Sequence, residues 1–111
     1  MSNAFSLECI CCDEEVFEMG FPHNLTDMAS EVKLKCGLTL YKLLWKPRGL
    51  AEDNLPLFEE SLKILREKPE YFKKWNPKNK WGSYEDLTDR VLMKVIEACK
   101  KYPRTILHAH C

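Results

Sequence analysis

The chain has 111 residues, 45% of them apolar and 31% charged, with 17 basic residues balancing 17 acidic ones. Residues 1–111 are enough for one domain that needs no metal or disulfide to fold, and the balanced charge excludes a global field that would gather nucleic acid or an anionic membrane. No apolar run approaches the roughly 18 residues of a membrane span, and the start MSNAFSLEC carries neither the basic segment nor the apolar stretch of a signal peptide, so the expected compartment is the cytoplasm, with cysteines 9, 11, 12, 36, 99 and 111 reduced.

Residues Phe5 to Cys12 read as a short strand, since Ile10 and small, buryable cysteines suit a sheet. Asp13 to Gly20 is acidic and reads as a loop or a short turn of helix. Phe21-Pro22-His23 is extended, because a residue before proline avoids the helical region. Asn24 then caps a helix with Leu25, Met28, Ala29 and Val32 at helical spacing, stopped by Gly37. Leu38 to Trp45 is a second short helix, ended by the turn Lys46-Pro47-Arg48-Gly49.

Asp53 or Asn54 starts the next helix, with Pro56 in its first turn. Its apolar stripe is Phe58, Leu62 and Leu65, and Glu59 and Lys63 form an i,i+4 pair outside. Pro69 closes it or begins a helical turn through Phe72. Ser83 opens the longest helix through a near capping box, Ser83-Tyr84-Glu85-Asp86, with Asp where Glu or Gln is usual. Tyr84, Leu87, Val91, Val95, Ala98 and Tyr102 make one stripe, widened by Leu92, Ile96 and Cys99. Pro103 ends it, and Thr105 to His110 reads as a strand with Leu107 and Ala109 on one face and Ile106, His108 and His110 on the other.

From His23 onward several separate elements recur together: His23-Asn24-Leu25 with Met28-Ala29, Leu44-Trp45-Lys46-Pro47, Pro69-Glu70-Tyr71-Phe72, Asn79-Lys80-Trp81-Gly82-Ser83-Tyr84-Glu85 and Ile96-Glu97-Ala98-Cys99-Lys100-Lys101-Tyr102-Pro103. In these the chain resembles a group of small uncharacterised proteins of bacteria and their phages that carry an Asn-Gly-Trp-Gly-x-Tyr-Glu loop. Lys80 departs from that pattern, where the group has Gly, and the Cys-rich start and the His-Ala-His-Cys end also look unlike it. The resemblance implies a fold and a phage or mobile-element accessory role; it brings no activity.

The densest candidate site is the aromatic bend from Tyr71 to Leu87. Trp75, Trp81 and Tyr84 could stack on a partner, amides after Ser83 could hold an anion, and Asn79, Lys78 and Lys80 could add polar and electrostatic contacts. The competing reading makes Trp81 a buried lock, Gly82 a turn and Ser83 a cap; both hold if Trp81 is buried and Trp75 exposed. A second candidate is a metal set. Cys9 and Cys11 share one strand face, His108 and His110 another, and four zinc-type ligands converge if the strands pair with those faces together. A Cys–His hydrolase using Cys12 or Cys99 with His23 lacks any nucleophile elbow, and there is no phosphate loop or dinucleotide fingerprint.

The expected fold is α+β, about four helices packed on one side of a small sheet formed by the N- and C-terminal strands. The expected function is a non-enzymatic binding module with no cofactor. It contacts a protein partner or a small anion through Trp75, Asn79, Lys80, Trp81, Ser83 and Tyr84; nucleic acid and membrane are not expected, and a homodimer is an open alternative. The rival readings are an enzyme with an unrecognised site and the Cys9, Cys11, His108, His110 metal domain.

Overall fold

A computed structural model describes residues 2–12, 14–22, 25–76 and 83–110. The two ends of the chain do pair. Strand β1, Ser2–Cys9, lies between β2, Glu15–Pro22, and β3, Thr105–His110, in an antiparallel sheet of order β2-β1-β3. Leu7 faces Phe17 on one side and Leu107 on the other, and Phe5 and Leu7 are fully buried. The alternation of β3 follows the sequence, with Leu107 buried and Ile106 exposed.

Two expectations at this end are corrected. The segment read as an acidic loop is strand β2. Phe17, Met19 and Phe21 alternate toward the core, a period-2 pattern masked by Glu15 and Glu18 on an edge strand whose other face meets water. The first strand ends at Cys9, so Ile10, Cys11 and Cys12 belong to the turn joining β1 to β2. That turn is closed by the Cys9 amide donating to the Glu14 carbonyl at 2.8 Å.

Helix α1 is only Thr26–Ser30, much shorter than the spacing suggests. The Glu31 and Val32 amides donate three residues back, to Met28 and Ala29, which tightens the end. Val32 and Leu34 then alternate inward as an extended segment bridged between Lys33 and Thr39. Gly37, at φ +94°, serves that tight turn and not a helix stop. The expected cap, Asn24, lies outside the described residues. Helix α2, Leu40–Trp45, starts two residues late because Thr39 caps it, its Oγ1 accepting from the Lys42 amide at 3.4 Å.

Helix α3, Ala51–Glu67, starts before Asp53, so Asn54 lies inside it and Pro56 in its second turn. Asn54 is buried, and its Nδ2 donates to the carbonyls of Arg48 and Leu50, both at 2.8 Å. Gly49, at φ +84°, lets that loop reach β3, where its carbonyl accepts from the Leu107 amide at 3.1 Å. Glu59 pairs with Lys100 at 3.8 Å, across to the last helix, in place of the expected Lys63 partner.

Helix α4, Pro69–Lys73, begins at its proline, as the sequence allows. The last helix opens at Ser83, passes through a π-helical segment, Asp86–Leu92, and continues as α5, Met93–Lys101. The π spacing is explicit in the Met93 amide, which donates five residues back to Thr88. Within the segment the Thr88 hydroxyl donates to the Tyr84 carbonyl at 3.2 Å. Every residue of the expected stripe is buried except the half-buried Tyr102. One core joins Phe5, Leu7, Phe21 and Leu107 of the sheet to Phe58, Leu65, Leu87 and Val95 of the helices. This is the expected α+β architecture.

Candidate functional site

The Lys68 backbone (φ −133°, ψ 61°) breaks the helical path, and Pro69 restarts it in a new direction. That restart decides which ring of α4 meets the core. Phe72 is 2% exposed, whereas Tyr71 is 41% and Trp75 38% exposed. Trp75 follows α4 in a tighter turn, where the Trp75 and Asn76 amides donate three residues back, to Phe72 and Lys73. Beside Tyr71 runs a groove of ≈ 430 Å³ with Ile64 as apolar wall and Glu31, Lys33, Glu67 and Lys68 as charged rim. The Tyr71 hydroxyl donates to Glu31 at 3.2 Å, and burial together with that carboxylate raises its pKa. Lys74 lies over the Tyr71 ring, with the ammonium 5.4 Å from its centroid.

The far side of the bend is a closed cap. Ser83 Oγ accepts from the Asp86 amide at 3.4 Å while Asp86 Oδ2 accepts from the Ser83 amide at 3.1 Å, so Asp completes the box that usually takes Glu. The Tyr84 amide donates to Asn76 Oδ1 at 2.7 Å, which clips the two ends of the bend together. The amides of Ser83, Tyr84 and Asp86 are thus filled by side chains, and one of those side chains is a carboxylate. The anion reading loses those three donors.

Tyr84 also departs from its expected role. It is 8% exposed, its hydroxyl donates to the Leu65 carbonyl at 2.7 Å, and burial raises its pKa. It anchors the helix to α3 and offers no stacking face. Ser83 is half-buried and acts as the cap. Lys73 is paired with Glu85 at 3.8 Å and lies over the Tyr84 ring, so part of the basic run is locally neutralised. Asn79, Lys80 and Trp81, with Lys78, lie outside the described residues.

The metal set drawn from the two terminal strands does not assemble. Register places Cys9 opposite Thr105, whereas His108 lies opposite Ser6 and His110 opposite Ala4. Cys9 has the parity of the buried Leu7, and His108 and His110 have the other. His108 instead meets Glu8, Nε2 to Oε2 at 3.6 Å. Cys11, out of the strand, gathers with a residue the strand reading had turned away. The sulfurs of Cys9, Cys11 and Cys12 all lie within 4.8 Å of one another, with Cys9 and Cys11 3.1 Å apart.

Hydrogen bonds from the Cys11 and Cys12 thiols, then from their amides, lower the Cys9 pKa to about 7, and the same contact raises that of Cys11. Cys99 is inert by comparison, its thiol pushed up to about 12 by burial. The sequence signal for the trio is C-x-C-C running into Asp13-Glu14, a turn composition that ends strand alternation.

No family model matches the chain, and neither a curated protein nor a solved structure matches it.

Proposed function

We propose that the protein is a non-enzymatic interaction module of the cytoplasm that grips a protein partner with the outer face of α4. The observation that supports this reading is the split of three neighbouring rings. α4 buries Phe72 in the core and leaves Tyr71 exposed at a groove with an apolar wall and a charged rim, and Trp75, in the turn just after α4, is exposed as well. Exposed aromatic pairs of this kind are the usual anchors of protein contacts, since they bring large area at little entropic cost. A charged rim then sets orientation and excludes wrong partners. The motif resemblance adds an accessory role in a phage or mobile element to the same proposal.

The test is affinity capture from a bacterial lysate with wild type, Trp75→Ala and Lys94→Ala, the last an exposed position on α5. The expected result is one abundant partner held by wild type and Lys94→Ala and lost by Trp75→Ala. Capture that is indifferent to Trp75 counts against the proposal. Recovery of a second copy of the chain, lost with Trp75, identifies the partner as the protein itself.

A further inference from the structure

The turn between β1 and β2 carries three sulfurs on four consecutive residues, and its geometry suits one soft ion. Three sulfurs bound to a single metal at about 2.3 Å must lie roughly 3.7–4.0 Å apart. The Cys9 and Cys11 sulfurs are at 3.1 Å, and no pair in the trio exceeds 4.8 Å. Each pair therefore needs to move by less than about an ångström to enclose an ion.

The scaffold supplies both rigidity and access. Cys9 is the last residue of the central strand, paired to Thr105 on one side and tied through its amide to the Glu14 carbonyl on the other. Cys11 and Cys12 are exposed at the turn, so an ion has an open way in. Glu14, two residues beyond Cys12, is exposed, which favours a cation near the turn. Geometry disfavours two of the three possible disulfides, while Cys9 and Cys12 keep the C-x-x-C spacing of a redox dithiol, so the metal site belongs to the reduced chain. A disulfide from Cys9 to Cys11 closes over one residue and one from Cys11 to Cys12 over none, both far from relaxed geometry.

We infer that Cys9, Cys11 and Cys12 form a trigonal thiolate site for a soft d10 cation, Cu(I). Thiolates select Cu(I) and Zn2+ from the common cellular metals. Zn2+ takes four ligands, so on three sulfurs it must draw a water to complete its shell. Cu(I) is complete with three. The inference is independent of the α4 contact surface, and neither stands or falls with the other.

The test uses the full chain, purified without a metal-affinity column, reduced, and titrated anaerobically with Cu(I) against the chromophoric chelator bicinchoninate. The expected result is about one equivalent of Cu(I) per chain withheld from the chelator, with X-ray absorption showing three sulfur neighbours and no nitrogen. Cys11→Ser and Cys12→Ser each weaken binding by roughly 100-fold or more, since loss of even an outer-shell partner costs about 10–100-fold. Cys9→Ser does the same if it folds; the two turn variants, on exposed positions, decide the matter without it. Cys36→Ser, at another exposed cysteine, leaves binding unchanged. Binding that survives Cys12→Ser, nitrogen in the coordination shell, or Zn2+ that displaces Cu(I) at equal concentration would each overturn the assignment.

Discussion

Cys9 accepts hydrogen bonds from the Cys11 and Cys12 thiols, and this holds its pKa at about 7, well below the ordinary thiol value of 9.0. The thiolate is the reactive form, so its alkylation should rise through pH 7 and fall as pH drops below it. Cys11, raised because its proton is held in the hydrogen bond to Cys9, should follow at higher pH. Cys99, at about 12, should stay unmodified wherever the fold persists. Iodoacetamide pulses read by peptide mass spectrometry across pH 5–10 check all three; a Cys9 midpoint near 9.0 would contradict the hydrogen-bond account.

Two residue-level lessons belong beside this. Alternation along a strand turns Cys12 away from Cys11, but alternation lapses in a turn, and there the sulfurs converge. Tyr84 sits both in the aromatic bend and on the stripe with Leu87 and Val91, and the stripe prevailed because burying the ring also gave its hydroxyl the Leu65 carbonyl.

At the scale of elements, strong periodicity survived and weak signals yielded to tertiary context. The last helix was legible because its stripe spans about five turns of helix, though its π segment was not, since one extra residue in a turn leaves the apolar stripe almost unchanged. Strand β2 was hidden because an edge strand with one wet face carries acids between its apolar residues. Helix α1 lost its second half to an extended segment that buries Val32 and Leu34 better.

Asn54 looked like a cap and proved to be a clasp, donating to both Arg48 and Leu50 from inside α3. Truncating it takes the donor from the Arg48 carbonyl, while the Leu50 carbonyl keeps the Asn54 amide, so Asn54→Ala should cost about 1–3 kcal/mol in urea unfolding. A loss below about 0.5 kcal/mol would mean that the loop onto β3 is held by other contacts.

Across the whole molecule, the pairing of the chain ends was legible because β1 and β3 each bury one face, Phe5 and Leu7 in β1 and Leu107 in β3, and such faces fix register. The described helices include none long and apolar enough to cross a membrane. The candidate site was legible only in part. Turn residues marked the bend, but which ring faces water is set by where Pro69 restarts the helix, a matter of direction that composition does not encode.

The central claim is that Trp75 is a contact residue and Phe72 a structural one. Thermal unfolding of Trp75→Ala beside Phe72→Ala tests it most directly. Phe72→Ala should cost about 3–5 kcal/mol, a fall in Tm of roughly 12–25 °C, and Trp75→Ala about 1 kcal/mol, a fall of roughly 4–6 °C. A Trp75→Ala variant that melts as early as Phe72→Ala would make the indole part of the core and contradict the account.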